Sequence, residues 1–414
     1  MAQTKLLTII MAALFLLAVS LAIPMAELYF MSAVLGAIPL ISYILGRYAL
    51  KSLECVRHAP GFASEGELLT ISLSVRGWSR LLGPIRIEDT LPEWITHAGS
   101  EDESGAFRIG TAAGLPDSSM SADGITFSYS AVPVKRGCHR IGPVRICATD
   151  PLGLFEFRSS CPIVSQITTF PTPIYVRDLG SVSGGEFGDT QFEGSGAKGS
   201  GIDFHGVREY QPGDELRRVY WKSTARHGRL NVIEFEHSLA EDTMIAIDLK
   251  RGSEIGHGPY SSLECAVRLA AGLASDAIAH GSAARLAGSG LDAPVTTLGK
   301  GKDHLYSILN ALALVEADQP EPLSSVLLHH MEDIPRGSVV VCLTPSVDSR
   351  LTECAALLRA KQVKMIVVLV CVLPDLPERL ETHMAELIGS GALVTAVACS
   401  PDGPMVRVLA RYAA

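Results

Sequence analysis

The chain has 414 residues, of which 19% are charged, with a mean hydropathy of +0.26, a formal net charge of −9 and a pI near 5.8. That length exceeds one ordinary core and fits two or three domains. The acidic balance excludes a global basic field for capturing nucleic acid, and the apolar composition directs attention to membrane segments.

Residues 6–26 carry no charge, Glu27 interrupts, and residues 28–46 are again uncharged. Each run has about the ~20 residues that a helix needs to cross a bilayer. The turn around Pro24 and Glu27 is short, so a transmembrane hairpin is predicted over residues 1–48. Lys5 precedes it, and Arg47, Lys51 and Arg57 follow it. The positive-inside rule then puts both termini in the cytoplasm, as for a multi-pass plasma-membrane protein. The competing reading is a cleaved signal peptide ending near Ser20-Leu21-Ala22. The first run is long for that, and a second span follows at once.

Residues 49–175 read as short strands punctuated by Gly and Pro. Residues 67–76, 85–87, 125–134 and 144–148 are the clearest, and helical periodicity is lacking. This pattern predicts a small antiparallel, β-sandwich-like domain. Asp150-Pro151-Leu152-Gly153-Leu154 reads as a turn into an apolar strand, and Trp78 and Trp94 as packing residues. Residues 176–202 form a Gly-rich linker, with eight glycines between Gly180 and Gly201. A phosphate-binding loop is not supported there, because Gly199 rather than Ser or Thr follows Lys198.

From 239 to 414 short apolar strands alternate with helices. Strands are predicted at 244–249, 283–287, 338–343, 364–373 and 393–398. Helices are predicted at 261–280, 303–317, 323–331, 350–361 and 377–388, with a closing helix over 405–412 that puts Arg407 and Arg411 on a solvated face. Continuous apolar strands separated by helices imply a doubly wound α/β domain. His329-His330 reads as a surface pair, since adjacent helical residues point apart. The nine cysteines contain no C-x-x-C pair, and several lie in apolar runs. Buried reduced thiols in a reducing compartment are expected.

The densest polar chemistry lies in residues 203–238. Pro212-Gly213-Asp214 forms a turn, and Asp214 is placed to cap a helix bearing Leu216, Val219 and Tyr220 on one face. Residues 230–235 then alternate like a strand. Asp203, Glu209, Asp214, His205 and His227 offer acid–base groups, but turn, cap and salt-bridge roles explain each. Six Arg or Lys between residues 201 and 230 suggest phosphate contacts, yet four acidic residues share that window. A structural clasp is the preferred reading, with Arg forks pairing carboxylates and stacking on aromatics, and with Trp221, Arg217 and Asp214 as its pins.

The run Gly206-Val207-Arg208-Glu209-Tyr210-Gln211-Pro212-Gly213-Asp214, followed by Arg217-Arg218, Tyr220-Trp221-Lys222 and Ala225-Arg226, resembles the motif of the bacterial and archaeal family called domain of unknown function 58. Tyr220 stands where that family usually has Asp. The stretches from Arg136 to Pro143 and from Asp150 to Phe155 also look like its upstream β region, and a two-span anchor is common in it. The resemblance implies a C-terminal domain similar to von Willebrand factor A domains. It also implies association with AAA+ ATPases of the MoxR type in protein assembly or maturation. The family has no established activity, so the expected function is a membrane-anchored scaffold without enzymatic activity or cofactor. An enzyme using the charged residues of 203–236 is the alternative. Many von Willebrand A domains hold Mg²⁺ through Asp-x-Ser-x-Ser after the first strand, plus a Thr and an Asp elsewhere. Here Asp248 matches the first position, whereas Lys250 and Gly252 replace the serines. Thr344-Pro345-Ser346 follows a later strand, where Asp348 is a poor substitute for the missing Asp. The resemblance thus implies a degenerate site without metal, with the Lys250 ammonium in the ion's place.

Overall fold

The computed structural model describes residues 2–23, 25–51, 53–77, 85–97, 106–109, 119–121, 124–176, 204–209, 220–221, 229–235, 242–288, 296–372, 378–399 and 406–412. The chain divides into two compact units, Met1–Phe170 and Pro171–Ala414.

The first unit opens with two apolar helices, α1 (Ala2–Ala22) and α2 (Ala26–Lys51). Both are long and apolar enough to cross a bilayer, and few of their residues are buried within the protein. The buried Ser20 and Ser32 turn their hydroxyls back onto the carbonyls of Leu17 and Tyr29, so neither leaves a polar group unsatisfied.

Among the described residues, twelve strands in three sheets follow α2 within the first unit. The longest ladder joins β3 (Leu69–Arg76) and β8 (Gly124–Pro133), where Leu69, Ile71, Leu73 and Val75 alternate inward as the sequence pattern demands. β1 (Glu54–His58) flanks β3. A second sheet runs through β4 (Ile85–Thr90), β10 (Val144–Thr149) and β11 (Glu156–Cys161). Ile71 and Phe127 from the first sheet share one core with Ile87 and Ile146 from the second, as a sandwich requires. The ladders are not all antiparallel as expected. β2 (Phe62–Ser64) pairs parallel with β12 (Ser165–Phe170).

Arg57 was expected among the charges flanking the membrane. It is instead fully buried, ion-paired with Asp89. Its Nη1 donates to the Ile141 carbonyl at 2.7 Å, and the Tyr129 hydroxyl donates to Asp89 Oδ2 at 2.6 Å. Burial raises the Asp89 carboxyl above its ordinary range, against the hydrogen bond from Tyr129 and the charge of Arg57. Trp94 is half-buried beneath the Lys135 ammonium, 5.2 Å from its ring centroid. Trp78 lies outside the described residues.

The second unit is built on a six-stranded sheet. Its order is β16 (Ala284–Gly288), β15 (Thr243–Ile247), β17 (Val339–Thr344), β18 (Lys364–Cys371), β19 (Leu393–Cys399) and β20 (Val406–Tyr412). The first five are parallel. Alternate residues feed two cores. Ile245, Ile247, Val339 and Val341 face α3 (Ser262–Ala279) and α4 (Lys302–Leu314). Met244, Ala246, Val340 and Cys342 face α5 (Leu323–His329), α6 (Ser349–Ala360) and α7 (Glu378–Gly389). A sheet covered on both faces explains the unbroken apolar runs. The strands and helices from 243 to 399 fall close to their predicted places.

Three expectations are corrected here. Residues 406–412 form an antiparallel strand, not a closing helix, with Arg407 opposite Ala398 and Arg411 opposite Thr395. The β-branched start Val406-Arg407-Val408 favours extension, and the exposed sheet edge supplies the ladder. The cysteines are not all reduced thiols. Cys265 near the start of α3 and Cys399 at the end of β19 form a disulfide across 134 residues. His329 is at the surface, but His330 is half-buried; their rings meet edge to face at 5.1 Å.

Residues 171–176 pack onto the second unit. Ile174 and Val176 join its core, and the Ile174 N–H donates to the Arg268 carbonyl at 3.0 Å. The Gly-rich stretch beyond residue 176 lies outside the described residues.

Candidate functional site

The candidate site lies where β15 and β17 end, at the carboxyl edge of the parallel sheet. Open α/β sheets present ligand-binding loops there. Asp248 follows β15 and is buried, its N–H donating to the Leu343 carbonyl at 2.9 Å. Both oxygens of its carboxylate are hydrogen-bonded: Oδ1 accepts from the Lys250 N–H at 3.1 Å and Oδ2 from the Thr344 hydroxyl at 2.8 Å. Thr344 Oγ1 also lies 2.5 Å from the Ser346 carbonyl. One hydroxyl proton serves only one acceptor at a time, and the carboxylate is the stronger. Burial raises the Asp248 carboxyl above its ordinary range; the Lys250 N–H, the Thr344 hydroxyl and the Lys250 charge oppose it.

Asp348 sits beside this group in a different role. It caps α6 by accepting from the Arg350 N–H at 3.2 Å, and its second oxygen accepts from the Ser324 hydroxyl. Burial pushes its carboxyl up, but Ser324, the Arg350 N–H and the Lys250 charge outweigh that and hold it below its ordinary range. The exposed Lys250 ammonium therefore acts on both carboxylates. Its backbone is pinned as well. Lys250 bridges Gln319, and Gln319 exchanges hydrogen bonds with Leu249 and Arg251 at 3.0 and 2.7 Å.

Gly252 has φ +80, a left-handed conformation that a serine adopts only under strain. The Ser253 N–H closes this turn onto the Lys250 carbonyl at 3.1 Å, and the Ser253 hydroxyl bonds the same carbonyl at 2.7 Å. That turn commits the Ser253 hydroxyl proton to the Lys250 carbonyl. Mg²⁺ requires several free oxygen ligands in near-octahedral array. One capped carboxylate, one committed carboxylate and an adjacent ammonium do not fit it. Among the described residues, no group of three or more His, Cys, Asp or Glu is placed to hold a metal.

The central motif is only partly described. Arg208 and Glu209 lie on β13 (Phe204–Glu209), a strand the sequence reading missed. β13 pairs antiparallel with β14 (Asn231–Phe235), with Arg208 opposite Val232 and Glu209 opposite Asn231. The register slips between Phe204 and Gly206, and that glycine was the available signal for a bulged strand. Trp221 is 68% exposed, so it does not serve as a buried pin. Tyr210, Pro212, Gly213, Asp214, Arg217, Lys222 and Arg226 lie outside the described residues.

A second polar cluster lies at the opposite, amino end of the strands, where Asp242, Arg285, Asp333 and Ser338 line a small cavity. Burial, then the Arg285 charge, lowers the pKa of His330 beside it. Sequence spacing gives no sign of this cluster, whose members come from strand β16 and from the segments leading into β15 and β17.

A family model described as "Protein of unknown function DUF58" matches residues 206–384. The chain is 28% identical over 329 residues to "Uncharacterized protein YeaD" of Bacillus subtilis (strain 168), covering 76% of this chain and 75% of that protein. Among solved structures, a cohesin module from a Clostridium perfringens family 33 glycoside hydrolase is similar at a TM-score of 0.20 and 11% identity, over 28% of this chain and 98% of that one. A CARDB domain from Pyrococcus furiosus is similar at 0.16 and 9%, over 28% and 86%. The structural likenesses are too slight to carry an argument. The family match and the Bacillus relative support the DUF58 family, to which the motif's resemblance had already pointed.

Proposed function

We propose that the chain is a membrane-anchored scaffold that recruits other proteins on the cytoplasmic side, without enzymatic activity of its own. Its favoured partner is a MoxR-type AAA+ ATPase, following the family resemblance, in the assembly or maturation of other proteins. The α/β unit acts in this reading as a von Willebrand factor A-like domain that recognises partners without metal. The observation that carries it is the constellation of Asp248, Thr344 and Lys250. Both oxygens of its carboxylate accept hydrogen bonds from its own surroundings, and Lys250 presents an exposed cation at the edge where such sheets dock ligands. A purified MoxR-type ATPase from the same organism, titrated against the full chain in nanodiscs, tests it. Saturable binding weakened about tenfold by Lys250→Glu, or ~1.4 kcal/mol, is expected. Unchanged affinity in a folded Lys250→Glu variant, or turnover of a small molecule by the chain alone, contradicts it.

A second orientation has one observation in its favour. Disulfides persist in oxidising compartments, and Cys265–Cys399 is one. Against it stand Lys5, Arg47 and Lys51 at the open ends of the hairpin, which favour a cytoplasmic location. Fusing alkaline phosphatase and green fluorescent protein in turn to Ala414 decides. Fluorescence without phosphatase activity is expected, and the reverse pattern overturns the cytoplasmic placement.

A further inference from the structure

The apolar helices are not a loose tether for the β strands. Leu50 at the end of α2 and Leu53 just beyond it belong to the same core as Ile71 and Phe127. About two turns earlier, Tyr43 meets Phe155 edge-on at 5.4 Å and Phe157 at 5.9 Å. A Cβ on Gly46 would fall 2.2 Å from Phe157 Cε2, so only glycine lets this ring approach the helix. Ser42 completes the seam by donating its hydroxyl to Asp150 Oδ2 at 2.7 Å.

Asp150 organises the loop that follows. It is 1% exposed, and its carboxylate also accepts from the N–H groups of Leu152 at 3.2 Å and Phe155 at 2.7 Å. The Gly153 N–H closes the turn onto the Asp150 carbonyl at 3.0 Å. A Cβ built on Gly153 would lie 3.8 Å from Lys5 Nζ, which places the loop beside the charged start of α1. Leu152, at the tip of this fixed turn, is nevertheless 51% exposed. A lone exposed leucine is ordinary on a water-facing surface, so whether this one has an apolar partner is decided by where the turn sits.

The level of the loop identifies that partner. Ser42 lies inside the apolar stretch Ala26–Tyr48 and precedes Arg47 by five residues. That is about 7 Å along a helix at ~1.5 Å per residue. Lys5 and Arg47 mark the charged ends of the two helices, so a loop touching both Lys5 and Ser42 stands at the boundary between the headgroups and the acyl chains. We propose that the turn 151–153 is embedded in the membrane interface, with Leu152 among the lipid chains and Lys5 against anionic lipid phosphates. This seats the β strands directly on the bilayer. The proposal rests on reading α1 and α2 as membrane spans.

Tryptophan quenching in lipid nanodiscs separates the two ideas. Leu152→Trp, Leu14→Trp and Leu68→Trp are compared with the unaltered full chain. Each nanodisc holds phospholipid brominated either near the headgroup or near the chain ends. Leu14 sits mid-helix in α1. Leu68 is 61% exposed and marks the far end of the β strands: β1 leaves the helix and pairs antiparallel with β3, so Glu54 faces Arg76 and the start of β3 lies remote from α2. The expected result for Leu152→Trp is a blue-shifted added emission, mostly lost with bromine near the headgroup. Leu14→Trp is expected to be quenched by bromine near the chain ends, and Leu68→Trp by neither. Quenching of Leu14→Trp without quenching of Leu152→Trp overturns the embedded loop and leaves the spans intact. Absence of quenching at Leu14→Trp overturns the spans themselves.

Discussion

Each unit buries an aspartate at a strand end, and the two are handled in opposite ways. Asp89 is sealed with Arg57, and both side chains are wholly inaccessible. The Arg57 guanidinium, the Tyr129 hydroxyl and the Ile141 carbonyl share the network, the guanidinium Nε is buried without a hydrogen-bond partner, and nothing there faces outward. Asp248 is neutralised by backbone, by a hydroxyl and from a distance by the exposed Lys250. The first arrangement holds strands together. The second leaves a cation on an open edge of the sheet, where a partner can reach it. Burial is common to the two carboxylates; the position of the counter-charge is what differs.

Single or paired replacements at four places, the Arg57–Asp89 pair, the disulfide, Thr344 and Lys250, probe this contrast, ordered by expected effect. Arg57→Ala strands the Asp89 charge in the core and is expected to cost about 3–5 kcal/mol in chemical denaturation. Arg57→Met with Asp89→Leu should recover most of that loss, and a double variant as unstable as the single would show that packing, not charge, governs the site. Cys265→Ser with Cys399→Ser removes the covalent tie in the second unit and should cost about 2–4 kcal/mol. An unchanged transition would mean the bridge is not formed in the folded protein. Thr344→Val deprives Asp248 of a buried donor and should cost about 1–3 kcal/mol.

Lys250→Met is expected to change stability by less than ~1 kcal/mol, because the ammonium is exposed. Its effect should appear in titration. Asp248 keeps its proton longer folded than unfolded, so its contribution to stability is present at low pH and lost as pH rises through its folded midpoint. Asp348 is depressed, so its contribution is present above the ordinary carboxylate range and lost as pH falls through its folded midpoint. Removing the Lys250 charge should raise both midpoints in carbon-detected NMR. Movement of neither would show that Lys250 does not act on the pair.

Much of the α/β unit was legible in the sequence, because strands covered on both faces must be apolar throughout. Residues 339–344 and 364–371 announce themselves in that way. β20 was misread because Arg407 and Arg411 fit a helical face as well as an edge strand, and the sheet edge decides between them. β13 hid behind Gly206 and its charges. At the candidate site, Asp248, Lys250 and Thr344 were named from the family resemblance, yet Ser324 and the capping role of Asp348 were not. Those depend on contacts between distant loops. The Arg57–Asp89 pair and the Cys265–Cys399 bridge join residues 32 and 134 apart, separations that no local pattern encodes. Arg57 was counted as a membrane-flanking charge for the same reason.

The proposed function rests on a carboxyl-edge site, with Asp248 and Lys250, that takes no metal ion. Isothermal titration of the full detergent-solubilised chain with Mg²⁺ and then Mn²⁺ tests it most directly. No saturable heat is predicted for either ion. Micromolar binding that disappears in Asp248→Ala would contradict the account.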